Sequence, residues 1–245
     1  MDCTYTCGMS DKLLELTNIS KRYGKQTALD KVSFGIERGH VYGFVGENGA
    51  GKTTTLRIIT GLARQTSGKL ELFGADDKVG LSRGRKNIGC MIEHPVFDDS
   101  LDAAENLRLY ALLYGLRDFS MIPGLLARTG LETAGRKKIR DFSMGMKQRL
   151  GIAAALISSP ELLILDEPVN GLDPLGMISV RKLLSSLNKE DGITILLSSH
   201  ILSELQELAT DYIFISGGKI LNTVSAQDVI SKGLSLEEYY IDLFE

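Results

Sequence analysis

Val41-Tyr42-Gly43-Phe44-Val45-Gly46-Glu47-Asn48-Gly49-Ala50-Gly51-Lys52-Thr53 is the stretch that decides how this chain folds. Its first five residues form an apolar run of strand length, and a glycine-rich loop follows with no spacer. From Gly46 to Thr53 the glycines, the lysine and the hydroxyl stand at the spacing of a phosphate-binding loop. Backbone N–H groups can converge on phosphate oxygens only where no side chain obstructs them, and a helix N-terminus behind the loop adds a favourable dipole end. Lys52 is placed to meet the β- and γ-phosphates of a triphosphate, and the Thr53 hydroxyl to ligate Mg²⁺. The alternative, an ordinary glycine-rich turn, requires a chance match on the order of 1% in a chain of this length. The expected nucleotide contacts are thus Gly46, Glu47, Asn48, Gly49, Ala50, Gly51, Lys52, Thr53 and Thr54.

Outward from this loop, short strands are expected over Leu14–Ile19 and Ala28–Ile36 before it. A helix through Ile59 ending near Gly61, and a strand from Gly68 to Phe73, are expected after it. The middle third changes character. Asp102 with Glu105 makes a capping pair, and Leu107, Tyr110, Leu113 and Tyr114 follow at helical spacing up to Leu116, so this segment reads as a helical lobe. Leu162–Leu165 and Ile193–Leu197 are apolar strands separated by a helix over Leu175–Leu187, an alternation that argues a parallel sheet. Tyr212–Ile215 and Lys219–Thr223 flank Gly217-Gly218 as a hairpin, and Leu234–Phe244 reads as a small amphipathic helix.

Composition excludes several classes. The chain has 245 residues, 43% of them hydrophobic, which suffices for a sizeable core. A net charge of −3 gives no global attraction to nucleic acid, and none is expected as a partner. No stretch approaches the roughly 18 consecutive apolar residues of a membrane span, so a cytoplasmic location is expected. The N-terminus opens with Asp2, and the polar leader before Met9 reads as non-native or as a mistaken start. Cys3, Cys7 and Cys90 cannot all pair and read as reduced and incidental. The basic clusters Arg83–Lys86 and Arg136–Arg140 read as solvated faces.

A triphosphate loop needs a carboxylate for the metal and, for hydrolysis, a group that polarises water. Leu162-Leu163-Ile164-Leu165-Asp166-Glu167 supplies both at the end of a buried strand. Alternation points the two acids differently, so Asp166 addresses Mg²⁺ while Glu167 reaches a water in line with the γ-phosphate.

Together these elements resemble the ATPase subunit of an ATP-binding cassette transporter, from Leu13 to about Thr223. The decisive piece is Phe142-Ser143-Met144-Gly145-Met146-Lys147-Gln148-Arg149, ahead of the acidic strand, which resembles the family's signature segment with Met144 and Met146 in place of the usual glycine and glutamine. The resemblance implies an α/β phosphate-loop core with a mixed or parallel sheet, an N-terminal antiparallel β subdomain and an inserted helical subdomain at about 94–158. Residues 13–224 would be the ATPase domain, 1–12 a leader and 225–245 a helical tail. It implies that Ser143 and the backbone at Gly145 touch the γ-phosphate of ATP held by a second subunit, identical or a close paralogue. Read alone, those two are a helix N-cap and a loop glycine. It further implies that Tyr23 stacks on adenine, that Asp173 in Asn170-Gly171-Leu172-Asp173 crosses to the opposite subunit besides capping a helix, and that His200 contacts the γ-phosphate. Glu93 stands where most relatives carry a metal-contacting glutamine, and a carboxylate can still ligate the metal. With Met144 and Met146, it resembles the subgroup of exporters giving immunity or resistance to lantibiotics and bacitracin-like peptides.

The expected activity is thus ATP hydrolysis coupled to transport, with membrane permease subunits holding the chain at the cytoplasmic face. A groove between the helical lobe and the segment near Glu93 is the expected docking site. A related ATPase acting on ribosomes or DNA ends usually carries two cassettes or a long coiled-coil insertion, and this chain shows neither.

Overall fold

The computed structural model describes residues 12–93 and 95–243. The expectations for Asp2, Cys3, Cys7 and Met9, and for Phe244, therefore lie outside the described residues.

β1 (Lys12–Tyr23) and β2 (Gln26–Glu37) pair antiparallel. β3 (Val41–Val45) follows with all five residues buried and delivers the chain to the loop from which α1 (Lys52–Thr60) starts. β4 (Ser67–Leu72) returns to the free side of β1, which completes a three-stranded antiparallel sheet in the order β2-β1-β4. α2 (Lys78–Gly84), not foreseen from periodicity, is capped by the Asp77 carboxylate and leads toward β5 (Ile88–Met91).

α3 (Ala103–Leu113), α4 (Ile122–Arg128) and α5 (Met144–Ala155) make the helical lobe, with its own core around Leu107, Ala111, Ile122, Ile139 and Leu150. The capping pair forms: Asp102 Oδ1 accepts from Glu105 N at 2.9 Å and Glu105 Oε2 from Asp102 N at 2.8 Å. The inward face of α3 differs from the expected stripe. Leu107 is fully buried, but Leu113 is 83% exposed and Tyr114 half-exposed. The small side chains of Ala103 and Ala111 let α3 approach its neighbours along that face instead.

The remaining elements are β6 (Leu162–Asp166), α6 (Pro174–Lys189), β7 (Thr194–Ser199), α7 (Leu202–Gln206), β8 (Asp211–Ser216), β9 (Lys219–Ser225), α8 (Ala226–Ser231) and α9 (Leu236–Asp242). α9 falls within the expected helix over Leu234–Phe244, and α8 before it was not foreseen. The second sheet has the order β5-β6-β7-β3-β8-β9, parallel from β5 to β8, with β9 antiparallel as the hairpin partner of β8.

Strand alternation divides the core. Ile164, Leu196, Phe44 and Ile213 face α1 and the antiparallel sheet, while Leu163, Leu165, Leu197 and Phe214 face α6, α7 and the tail. Both faces are covered, which is why these strands read as continuous apolar runs. The tail packs through Tyr239, whose ring lies 5.6 Å from Phe214, and through Leu236 N, which donates to Gln206 Oε1 at 3.2 Å.

Candidate functional site

The carboxyl ends of β3, β6 and β7 lie side by side, because β7 pairs with both of the others. Ligands of open parallel sheets gather at this edge. A cleft of about 440 Å³ opens there, lined by Glu47, Gly51, Lys52 and Thr53 of the phosphate loop with Tyr23 and Glu167, while Gly46 and Ala50 do not border it.

The loop leaves no room for side chains at two of its glycines. A Cβ at Gly46 would press on the Ile215 carbonyl and lie 2.9 Å from Ile215 Cγ2. Gly51, with φ +111°, starts α1, and a Cβ there would meet Leu29 Cδ2 at 2.6 Å. The loop is fastened by two backbone bonds, Ala50 N to Glu47 O at 3.1 Å and Gly218 N to Ala50 O at 2.9 Å. Asn48, Gly49 and Thr54 also line the cleft. Lys52 is only 6% exposed. Its ammonium donates to Gly46 O at 2.5 Å and Glu47 O at 3.2 Å and lies 3.7 Å from Glu167 Oε1.

The two acids are held differently. Asp166 is buried, and its Oδ2 accepts from the Thr53 hydroxyl at 2.8 Å. Glu167 follows in left-handed backbone (φ 50°), which turns its side chain out of the strand line into the cleft. His200 Nδ1 lies 2.7 Å from Glu167 Oε2. Tyr23 is exposed at the cleft, with Lys21 Nζ 4.6 Å from its ring centre, so it is not packed on the core.

Sequence reasoning missed Ser198. Its Cα pairs with that of Asp166 across β6 and β7, and its fully buried hydroxyl donates to Asp166 Oδ1 at 2.6 Å while accepting from Glu167 N at 3.0 Å. One serine therefore braces both acids. The available signal was a polar pair, Ser198-Ser199, ending an apolar strand. Gly217 and Gly218, read only as a hairpin turn, also wall the cleft.

Ser143, Gly145 and Asp173 are gathered at another place. They line a separate cavity of about 430 Å³ together with Gly171, and none of them borders the phosphate cleft. Within one chain, the Ser143 hydroxyl caps α5, accepting from Met146 N at 3.3 Å, and Asp173 caps α6, accepting from Gly176 N at 3.0 Å. Glu93 does not line the cleft either; its carboxylate pairs with Arg57 on α1. Next to it, Met91, Ile92, Val96 and Tyr110 line a groove of about 340 Å³ between β5 and the helical lobe, with Gly151 and Ala154 as its floor. Cys90 is free on this wall, and burial pushes its thiol up, away from the reactive thiolate.

A glycine cradle behind a buried lysine, a hydroxyl joined to a carboxylate, and a second carboxylate joined to a histidine define a phosphate-loop ATPase domain. Comparison with known proteins narrows the class. The family model described as ABC transporter matches residues 29–170. The bacitracin transport ATP-binding protein BcrA of Bacillus licheniformis is 44% identical over 212 residues, covering 86% of this chain and 69% of that protein. The lantibiotic transport ATP-binding protein SrtF of Streptococcus pyogenes is 44% identical over 209 residues, covering 85% and 89%. A solved ATP-binding subunit of an ABC transporter superposes with a TM-score of 0.83 at 33% identity, covering 95% of this chain and all of that one. A dimeric ATP-binding cassette in a post-hydrolysis state with ADP and Pi superposes with a TM-score of 0.77 at 26% identity, covering 87% and 98%.

The chain belongs to the ATP-binding cassette transporter family, as its ATP-binding and ATP-hydrolysing subunit. One of these relatives, the cassette bound to ADP and Pi, is dimeric. Among the described residues no helix is long and apolar enough to cross a membrane.

Proposed function

We propose that two copies of this chain, or one copy and a close paralogue, drive export of a bacitracin-like or lantibiotic peptide through membrane permease subunits, giving immunity or resistance. The observation that carries the substrate class is the 44% identity to two transporter subunits named for those peptides. The chain would sit at the cytoplasmic membrane face through its permease, docked at the groove beside Glu93.

Each chain's own residues divide the work. The loop amides and Lys52 bind the phosphates of ATP, and Tyr23 stacks on the adenine. Glu167 accepts a proton from the attacking water, and His200, bonded to Glu167, holds that carboxylate and contacts the γ-phosphate. Thr53 and Asp166 form an all-oxygen pair that fits Mg²⁺, which favours one or two protein oxygens plus substrate phosphates. When bound, the ion neutralises charge developing on the phosphates; Glu93 is assigned as a further ligand. The separation of Ser143, Gly145 and Asp173 from the phosphate cleft supports a site completed by a second chain, since one chain alone leaves them in a cavity of their own. Closure and reopening of the two-chain clamp would pass motion to the permease through the helical lobe.

The test is Glu167→Gln. ATP should convert this variant to a stable dimer in gel filtration while turnover drops at least about a hundredfold. A variant that stays monomeric with saturating ATP removes the clamp from the isolated chain. Co-expression with the cognate permease should raise the inhibitory concentration of bacitracin or a lantibiotic, and failure with both peptides refutes the substrate class.

A further inference from the structure

We propose that Arg57 is a positioning residue that holds Glu93 in a resting place one helical turn from the metal position and releases it when the nucleotide site is filled. This rests on the assignment of Glu93 as a ligand of the nucleotide-bound cation.

Three observations carry it. The first is register. β5 and β6 run parallel with Met91 beside Leu165, so β5 ends one residue short of the level of Asp166, where β6 ends, and Glu93 follows two residues after Met91. Adjacent strands lie about 4.8 Å apart, so the backbone brings Glu93 to the rim of the site. The second is direction. Glu93 has φ 61°, a left-handed conformation that an L side chain with no local hydrogen-bonding partner disfavours, and the turn takes its carboxylate off the strand line and onto Arg57. The third is the place of Arg57 on α1. It follows Thr53 by four residues, so the two side chains share one face of the helix about 5–6 Å apart. Thr53 is the residue joined to Asp166.

The geometry therefore offers the Glu93 carboxylate two cationic positions on one face of α1. One is the guanidinium of Arg57. The other is the divalent cation at Thr53 and Asp166, one turn closer to the loop. Two carboxylates, Asp166 and Glu167, already stand at that position with one ammonium, Lys52, 3.7 Å from Glu167, so without a divalent cation a third carboxylate would add uncompensated negative charge. Arg57 supplies the countercharge for Glu93 in that state. A neutral glutamine at position 93 would need no such partner, so the pair follows from the acid in this chain. Both residues are accessible, with 39% and 57% of their side-chain surfaces exposed, so the pair is weak enough to exchange.

The experiment measures Mn²⁺ binding, by electron paramagnetic resonance, to ATP-loaded full-length chain carrying Glu167→Gln so that nothing is hydrolysed. Four proteins are compared in that background: the parent, Arg57→Gln, Glu93→Ala and the double variant. Glu93→Ala should weaken Mn²⁺ binding. Arg57→Gln should tighten it about two- to fivefold, the gain from removing a competing exposed ion pair. In the double variant the Arg57 effect should vanish, because no carboxylate remains to be held. Arg57→Lys, which keeps the charge, should restore the parent value. Unchanged or weaker binding in Arg57→Gln overturns the resting position. Unchanged binding in Glu93→Ala overturns the underlying assignment of Glu93 instead, so the two failures are distinguishable.

Discussion

Ser198→Ala removes one hydroxyl and disturbs both acids of the site. The bond from Ser198 Oγ to the buried Asp166 carboxylate, at 2.6 Å, is charge-assisted, a class worth about 1.5–3 kcal/mol. The bond accepted from Glu167 N, at 3.0 Å, is neutral and contributes about 1 kcal/mol. Alanine leaves Glu167 N and one oxygen of Asp166 without this partner in a site where Ser198 is 0% exposed, so replacement water has poor access. The total is roughly 3 kcal/mol. At about 2–4 °C per kcal/mol for a chain of this size, the unfolding midpoint should fall by about 6–12 °C. If half of that energy goes into aligning the acids in the transition state, turnover should fall about tenfold, since about 1.4 kcal/mol is a factor of ten. Differential scanning calorimetry and phosphate release from MgATP read the two effects. Ser199→Ala, whose hydroxyl accepts from Ile201 N at 3.0 Å and touches neither acid, should spare turnover. If Ser198→Ala kept turnover within about twofold of wild type and an unchanged midpoint, the serine would not be the brace of the site.

Three further outcomes follow from the same structure. Gly46→Ala should weaken ATP binding at least about tenfold in isothermal titration, because its Cβ forces the loop away from Ile215; retained affinity would show that the loop can yield there. His200→Gln should lower kcat about 10- to 100-fold while ATP affinity holds, since it removes the ring bonded to Glu167; a loss of affinity with kcat intact would place the histidine in binding rather than in the chemical step. The backbone N–H of Asp102, with help from the Lys138 ammonium, holds the Glu105 carboxyl below its ordinary value of 4.5. A depressed carboxyl stabilises the fold above that ordinary value, and the contribution is lost as pH falls through the folded-state value. Melting curves should therefore drop less steeply on acidification for Glu105→Gln than for wild type; parallel curves would mean the helical lobe does not sense this carboxyl.

Much of the site was legible because its chemistry is local. The phosphate loop, the Asp166-Glu167 pair and the caps at Asp102 and Asp173 depend on residues a few positions apart, and short-range sterics and hydrogen bonding dictate their form. The apolar runs of β3 and β6 announced burial on both faces, and that demand led to the parallel sheet. The outward turn of α3 was not legible, because Leu113 matched the helical period while small residues alone decided which face could approach α5. α9 was legible from its amphipathic pattern, whereas α8 was not, since it spans six residues and depends on its Ser225 cap.

The sequence by itself determined the class of chemistry, because glycine spacing, one lysine and two strand-end acids form a pattern few other structures need. Only the tertiary structure decided how those parts are braced. Ser198 meets Asp166 across 32 positions, Arg57 meets Glu93 across 36, and Gly218 N, in the turn after β8, reaches Ala50 O in the loop after the neighbouring β3. Such pairings depend on the strand order β5-β6-β7-β3-β8. That order is a property of which hydrophobic faces must be covered together, and no local interaction along the chain encodes it.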